Sequence, residues 1–189
     1  MTKRFKIILV FLAVASFSTV SVQAATYEID PVHSSITFKI RHLVGRATGT
    51  FDKFAGTIEF DESKITSSEI SATIDVTSIN SRNEKRDTHL KSADFFDVQN
   101  FAEAAYTSKY INVEAGQIHG DLTLHGVTKE VLMDYVYNGS MADKEGKMHI
   151  GGTGKAIINR KDFGINYDVA GMLGDEVELE LQIEAIEKK

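Results

Sequence analysis

The sequence predicts a mostly β-sheet domain, and three observations carry that reading. Polar and apolar residues alternate with period two in enough short segments for at least eight strands. Glycine-bearing turn signals separate these segments at hairpin spacing, and only one stretch has helical character. One proline, no cysteine, no Gly/Ser linker and no fixed-period repeat leave a single domain as the expected organisation, with neither disulfides nor thiolate chemistry.

In chain order, Lys3, Arg4 and Lys6 precede an apolar run from Ile7 to Ala15 and a small-residue region ending Val22-Gln23-Ala24. This is the layout of a cleavable export signal, with the cut expected after Ala24 and a mature domain over 25–189. The run falls short of the roughly 20 residues of a membrane span, so no stable membrane insertion is expected. Loss of those three positive charges moves the formal net charge from −6 to −9, which disfavours nucleic acid as a partner.

Ser34–His42 turns Ile36, Phe38 and Ile40 to one side, Thr57–Asp61 presents Ile58 and Phe60, and Glu69–Thr77 presents Ile70, Ala72, Ile74 and Val76. Ser81 followed by Glu84 reads as a capping box opening a short helix that ends near Ser92, with Asp87 and Lys91 spaced for an i,i+4 pair. Ile118–Leu124 presents Leu122 and Leu124, and Lys129–Asn138 presents Val131, Met133, Tyr135 and Tyr137. Met148–Ile158 offers Ile150, Ala156 and Ile158 around Gly151, Gly152 and Gly154. The last strand sets Val177, Leu179, Leu181, Ile183 and Ala185 against Glu178, Glu180, Gln182 and Glu184, a solvated face. A closed barrel and a sandwich both bury one face of every strand, so alternation leaves them even. The glycine run tilts the reading towards a barrel, since strand glycines mark barrel bends or close approaches, a bulge being the plainer alternative.

Five motifs, in this order, carry a resemblance. They are Tyr27-Glu28-Ile29-Asp30-Pro31-Val32-His33-Ser34 with Ile36-Thr37-Phe38; Gly49-Thr50-Phe51 with Phe54-Ala55-Gly56; Arg86-Asp87-Thr88-His89-Leu90-Lys91-Ser92 running into Asp94-Phe95-Phe96-Asp97; Gly120-Asp121-Leu122-Thr123-Leu124-His125-Gly126-Val127-Thr128; and Asn159-Arg160-Lys161-Asp162-Phe163-Gly164. The chain resembles the YceI-like polyisoprenoid-binding proteins, departing where Ala102 follows Phe101 in place of the family's usual proline. The resemblance implies an all-β, closed antiparallel eight-stranded lipocalin-like barrel with one or two short helices, located in the periplasm. It also implies a long-chain isoprenoid lipid or isoprenoid quinone in the interior, often in a homodimer. The ligand-lining residues are then Ile36, Phe38, Ile40, Ile58, Phe60, Ile74, Val76, Leu122, Leu124, Val131, Met133, Tyr135, Ile158, Leu179 and Leu181, with Gly152 and Gly154 leaving volume unfilled.

A lipid of about 40 carbons would gain roughly 30 kcal/mol on leaving water, more than the roughly 20 kcal/mol at which affinities saturate. A membrane, not water, is its source, so transfer is near balance and the same site can load and unload. A carrier or scavenger fits that balance. The six histidines form no His-x-His pair and no helical i,i+4 pair, so no metal and no cofactor is expected. His119 and His125 read as sharing a strand face about 20 Å apart. Arg86, Asp87 and His89, like Arg160, Asp162 and Phe163, read as structural groups at a barrel end. No nucleophile elbow, phosphate loop or dinucleotide motif is present, so the chain does not read as an enzyme. A hydrolase or isomerase using His89 or His33, and an envelope stress protein with a filled core that acts on a protein partner, are the competing readings.

Overall fold

The computed structural model describes residues 24–168 and 170–188; the expected export signal therefore lies outside the described residues, apart from Ala24. Its strands are β1 Ala25–Ile29, β2 Ser35–His42, β3 Gly45–Phe51, β4 Phe54–Phe60, β5 Glu69–Asp75, β6 Ile79–Asn80, β7 Glu103–Asn112, β8 Gln117–Leu124, β9 Val127–Ala142, β10 Met148–Asn159 and β11 Leu173–Glu187, with a single α-helix, α1, at Glu84–Lys91. All pairings are antiparallel. β11 holds β10 along one edge, and along the other it holds first β2 and then β1. The next neighbours repeat this division, β3 on β2 beside β4 on β1, then β6 on β3 beside β5 on β4. Each of these three pairs is one long strand broken in the middle. With β7 to β11 they make eight, closed up-and-down by the pairing of β1 with β11.

Local chemistry sets the breaks. Between β1 and β2 comes Pro31, which has no N–H for a ladder, and Asp30 accepts from the Val32 amide across the corner. Asp75 ends β5 by accepting from the amide and hydroxyl of Thr77, so Val76–Ser78 is a 3₁₀ turn. Val76 is therefore buried at a corner, not within a strand. The expected capping box is also replaced. Asn83 caps α1 by accepting from the Arg86 amide, while Ser81 bonds Asp87 through both its amide and its hydroxyl. Asp87 is thereby turned inward to Ser81, and no ion pair with Lys91 forms among the described residues.

The glycine run lies in β10 against β9, where the register shifts between Gly151 and Gly152; it is a bulge within the closed wall. A Cβ on Gly154 would come within 2.6 Å of Met133 Sδ, so the methionine takes the place that a side chain there would occupy. His119 sits in β8, while His125 lies beyond its end in the turn to β9, with φ +52°, so the two share no strand face.

The main core gathers inward residues of β7 to β10 with Val76, Phe163 and Ile165. A smaller cluster of Tyr27, Ile150 and Ala185 fills the region where β1 meets β11. Between β6 and β7 the chain leaves the wall to form α1 and the loop after it. β3 is paired by β6 only at Thr50 and Phe51, so its Gly45–Gly49 edge is open beside α1.

Candidate functional site: two apolar cavities in the barrel

Two cavities occupy the interior and abut at Ile74, which lines both. The outer one, about 550 Å³, lies at the α1 end; the inner one is about 170 Å³. The outer volume alone falls in the range of small-molecule sites, about 300–1,000 Å³. Of the residues singled out in the sequence, Phe38, Ile40, Ile74, Leu122, Leu124, Ile158 and Leu179 line the outer cavity. Ile36, Ile58, Phe60, Met133, Tyr135, Gly152, Gly154 and Leu181 line the inner one with Ile74. Val76 and Val131 line neither; both are buried in the packed core.

The mouth of the outer cavity is built from residues outside the strand pattern. Phe95 and Phe96 from the loop after α1, Leu90 and His89 from α1, and Tyr167 from the loop before β11 all face it. His89, Phe95 and Tyr167 stack edge-on or tilted, with centroids 4.7–5.0 Å apart, tying the helix to the β11 loop. Arg86 donates from Nε and Nη2 to the hydroxyl and carbonyl of Ser81, both at 2.7 Å. Arg160 is buried and donates to the carbonyls of Gly174, Ile165 and Tyr167 at 2.7–2.8 Å and to Asp175 at 3.2 Å. Both guanidiniums line the cavity yet are spent on the backbone that shapes its rim, as the structural reading of these motifs expects. Phe163 is buried in the main core.

The inner cavity is nearly all hydrocarbon. The rings of Tyr106 and Tyr137 line it, but their hydroxyls are packed away from the open volume and have no hydrogen-bond partner among the described residues. Burial, with a smaller push from Asp121, raises the Tyr106 phenol to about 12, so it is a neutral donor.

Outside the barrel, His33 Nδ1 meets Asp30 at 2.6 Å, and His149 bridges Glu184 at 2.8 Å and Asp143 at 3.2 Å. Donor atoms of Asp30, His33 and Glu184 all lie within 4.8 Å of one another, a spacing that could hold a metal ion. These groups already satisfy each other as an ion-pair network, which accounts for the cluster. His33 borders neither cavity.

The YceI-like domain model matches residues 27–185. The chain belongs to the YceI-like family. Protein YceI of Salmonella arizonae is 37% identical over 183 residues, covering 94% of this chain and 95% of that protein. A UPF0312 protein of Shewanella oneidensis is 36% identical over 178 residues, covering 91% and 93%. Among solved structures, the YceI protein of Campylobacter jejuni superposes with a TM-score of 0.69 at 31% identity, covering 76% of this chain and 86% of that one. A polyisoprenoid-binding domain from Saccharophagus degradans gives 0.61 at 14% identity, covering 87% and 99%, a likeness of fold alone. The closed barrel of this YceI-like chain agrees with the expectation that its motifs raised. No helix among its described residues is long and apolar enough to cross a membrane.

Proposed function

We propose that this YceI-like protein is an exported carrier or scavenger that holds a long-chain polyisoprenoid or isoprenoid quinone inside its barrel. The carrying observation is the pair of abutting apolar cavities, lined by the alternating strand residues that a filled core would have packed together. The name of the Saccharophagus relative, a polyisoprenoid-binding domain, adds support by likeness. In this reading residues 1–24 are the cleaved export signal, the barrel is the only domain, and the compartment is the periplasm. A homodimer, if formed, would use a face other than that of Glu178 and Glu180, which are tied to Arg46 and Lys39.

The deciding experiment is mass spectrometry of the organic extract from protein isolated without detergent. A stoichiometric prenyl compound is the expected result. An extract free of lipid would leave a protein that acts on a partner. Prenyl-lipid turnover lost on His89→Ala would restore the hydrolase, His89 being the histidine of the two that faces a cavity.

A further inference from the structure

We infer that the turn between β2 and β3 is a membrane-docking tip that sets the mouth of the outer cavity against an anionic lipid bilayer, an inference resting on the lipid-carrier reading above. The turn has two residues, Leu43 and Val44, between the paired His42 and Gly45. Two-residue hairpin turns favour Asn-Gly or Gly-X because they require left-handed backbone. Leu43 adopts that conformation, with φ +51°, without being glycine or asparagine. Val44 is fully exposed and Leu43 about half exposed, at 107% and 52%. The turn thus departs at one place from what its backbone favours and from what water favours. Neither side chain is buried in exchange.

The surroundings indicate what such a tip meets. From Ser35 to Phe51 there is no acidic residue, while Lys39, Arg41, His42 and Arg46 are basic, in a chain of net charge −6. Lys39 and Arg46 pair with Glu180 and Glu178 along the strands. Arg41 has no carboxylate within ion-pair distance among the described residues. Its guanidinium donates instead to the carbonyls of Leu43, Gly171 and Met172 at 3.2–3.4 Å. With the Leu43 amide donating to Met172, these bonds clip the turn to the Ala170–Met172 loop, a second uncharged and largely exposed segment with positive φ at Ala170 and Gly171. The result is a two-loop apolar rim with a fixed cation behind it; the Asp168 carboxylate at the base of the second loop accepts from the Gly171 and Leu173 amides. His42, Arg46 and Met172 also line the outer cavity, so the rim borders its mouth.

An aliphatic tip backed by cations is the pattern of interfacial membrane contact: the apolar side chains enter the acyl boundary and the basic groups meet anionic headgroups. A protein partner would need roughly 800 Å² on this side, more than two neighbouring turn tips offer. A bilayer sets no such minimum, and it is where a prenyl lipid resides. Docking would place the open Gly45–Gly49 edge of β3 and the outer cavity at the surface from which cargo is drawn.

The test is flotation with vesicles of phosphatidylethanolamine and phosphatidylglycerol, beside vesicles of phosphatidylcholine alone. It compares the protein with a variant carrying Leu43→Asn and Val44→Gly, so that any contribution of residues 1–24 is common to both. The protein should float with the anionic vesicles, and less so in high salt. The variant should bind roughly tenfold or more weakly, as expected for withdrawing two aliphatic side chains from the interface. Its thermal midpoint should be little changed, because asparagine tolerates the left-handed backbone of Leu43 and both positions are exposed. Equal flotation of the two proteins, or no flotation of the unaltered one, overturns the proposal. Loading each from detergent micelles with a prenyl quinone separates it from the carrier reading. Equal loading with lost flotation supports both, lost flotation without loading in either supports docking while sinking the carrier, and equal loading with equal flotation sinks docking alone.

Discussion

Tyr106 is buried with its hydroxyl unpaired, its ring lying over Gly120 so closely that a Cβ there would come within 2.5 Å of the phenol. A buried donor without an acceptor costs about 1–3 kcal/mol. Tyr106→Phe should therefore stabilise the cargo-free protein by about 1 kcal/mol, read as a higher urea midpoint at unchanged m-value. Because this hydroxyl is sealed from the cavity, the same change should leave cargo retention unaltered, and extracted lipid per protein measures that directly. Arg160 is the opposite case, since its side chain satisfies three carbonyls and Asp175 from a buried position. Arg160→Met keeps much of the volume and removes every donor, so a loss of about 3–5 kcal/mol is expected, and a variant near native stability would deny that the arginine holds the rim.

The β1–β2 corner, the β9–β10 hairpin and the last strand are joined by His149 between Glu184 and Asp143, with Asp30 and His33 alongside. Hydrogen bonds to Glu184 and then Asp143 raise the His149 pKa above its ordinary value. The resulting stabilisation is complete below about 6.5 and is lost as pH rises through the raised folded-state value. The Asp30 carboxyl is lowered by its bond to His33, and that of Asp143 chiefly by the Lys147 amide; their contribution holds above about 3.9 and is lost on acidification. This latch should be tightest between those limits. His149→Gln should flatten the alkaline side of the stability profile, and NMR of the imidazole should give a midpoint above the usual histidine range; a midpoint at or below it rules the latch out. Elements of this kind were only partly legible in the sequence. β2, β4, β8, β10 and β11 follow from clean alternation. β7 was hidden because a register shift between Ser108 and Tyr110 interrupts its period, and β3 because two glycines and exposed polar residues leave no apolar face to read. Three long strands broken by corners appear in sequence as separate short ones, so counting segments could not tell a barrel from a sandwich.

At the scale of the molecule, the barrel wall is complete everywhere except where β7 leaves β6 and β3 unaccompanied, and there α1 and its aromatic loop stand in for a strand. The strand-borne lining of the cavities could be read from period two. The mouth could not, because Arg86, Phe95, Arg160 and Tyr167 come from segments whose geometry is set by single hydrogen bonds and ring contacts, with no periodic signature. That asymmetry carries a prediction about dynamics. Local opening draws on the regions with the fewest ladder bonds and the least packed apolar surface, and α1 has no buried residue while β8 alternates buried positions along its whole length. In cargo-free protein, amide hydrogen exchange should be fastest in α1 and along Gly45–Gly49 and slowest in β8 to β10. Cargo seated against Leu90, Phe95 and Phe96 would add the apolar contact that the mouth lacks, so loading should slow exchange in α1 and β3 far more than in β8 to β10. Uniform slowing across the barrel would instead mean that cargo stabilises the fold only globally, with access not governed by the gap beside β3.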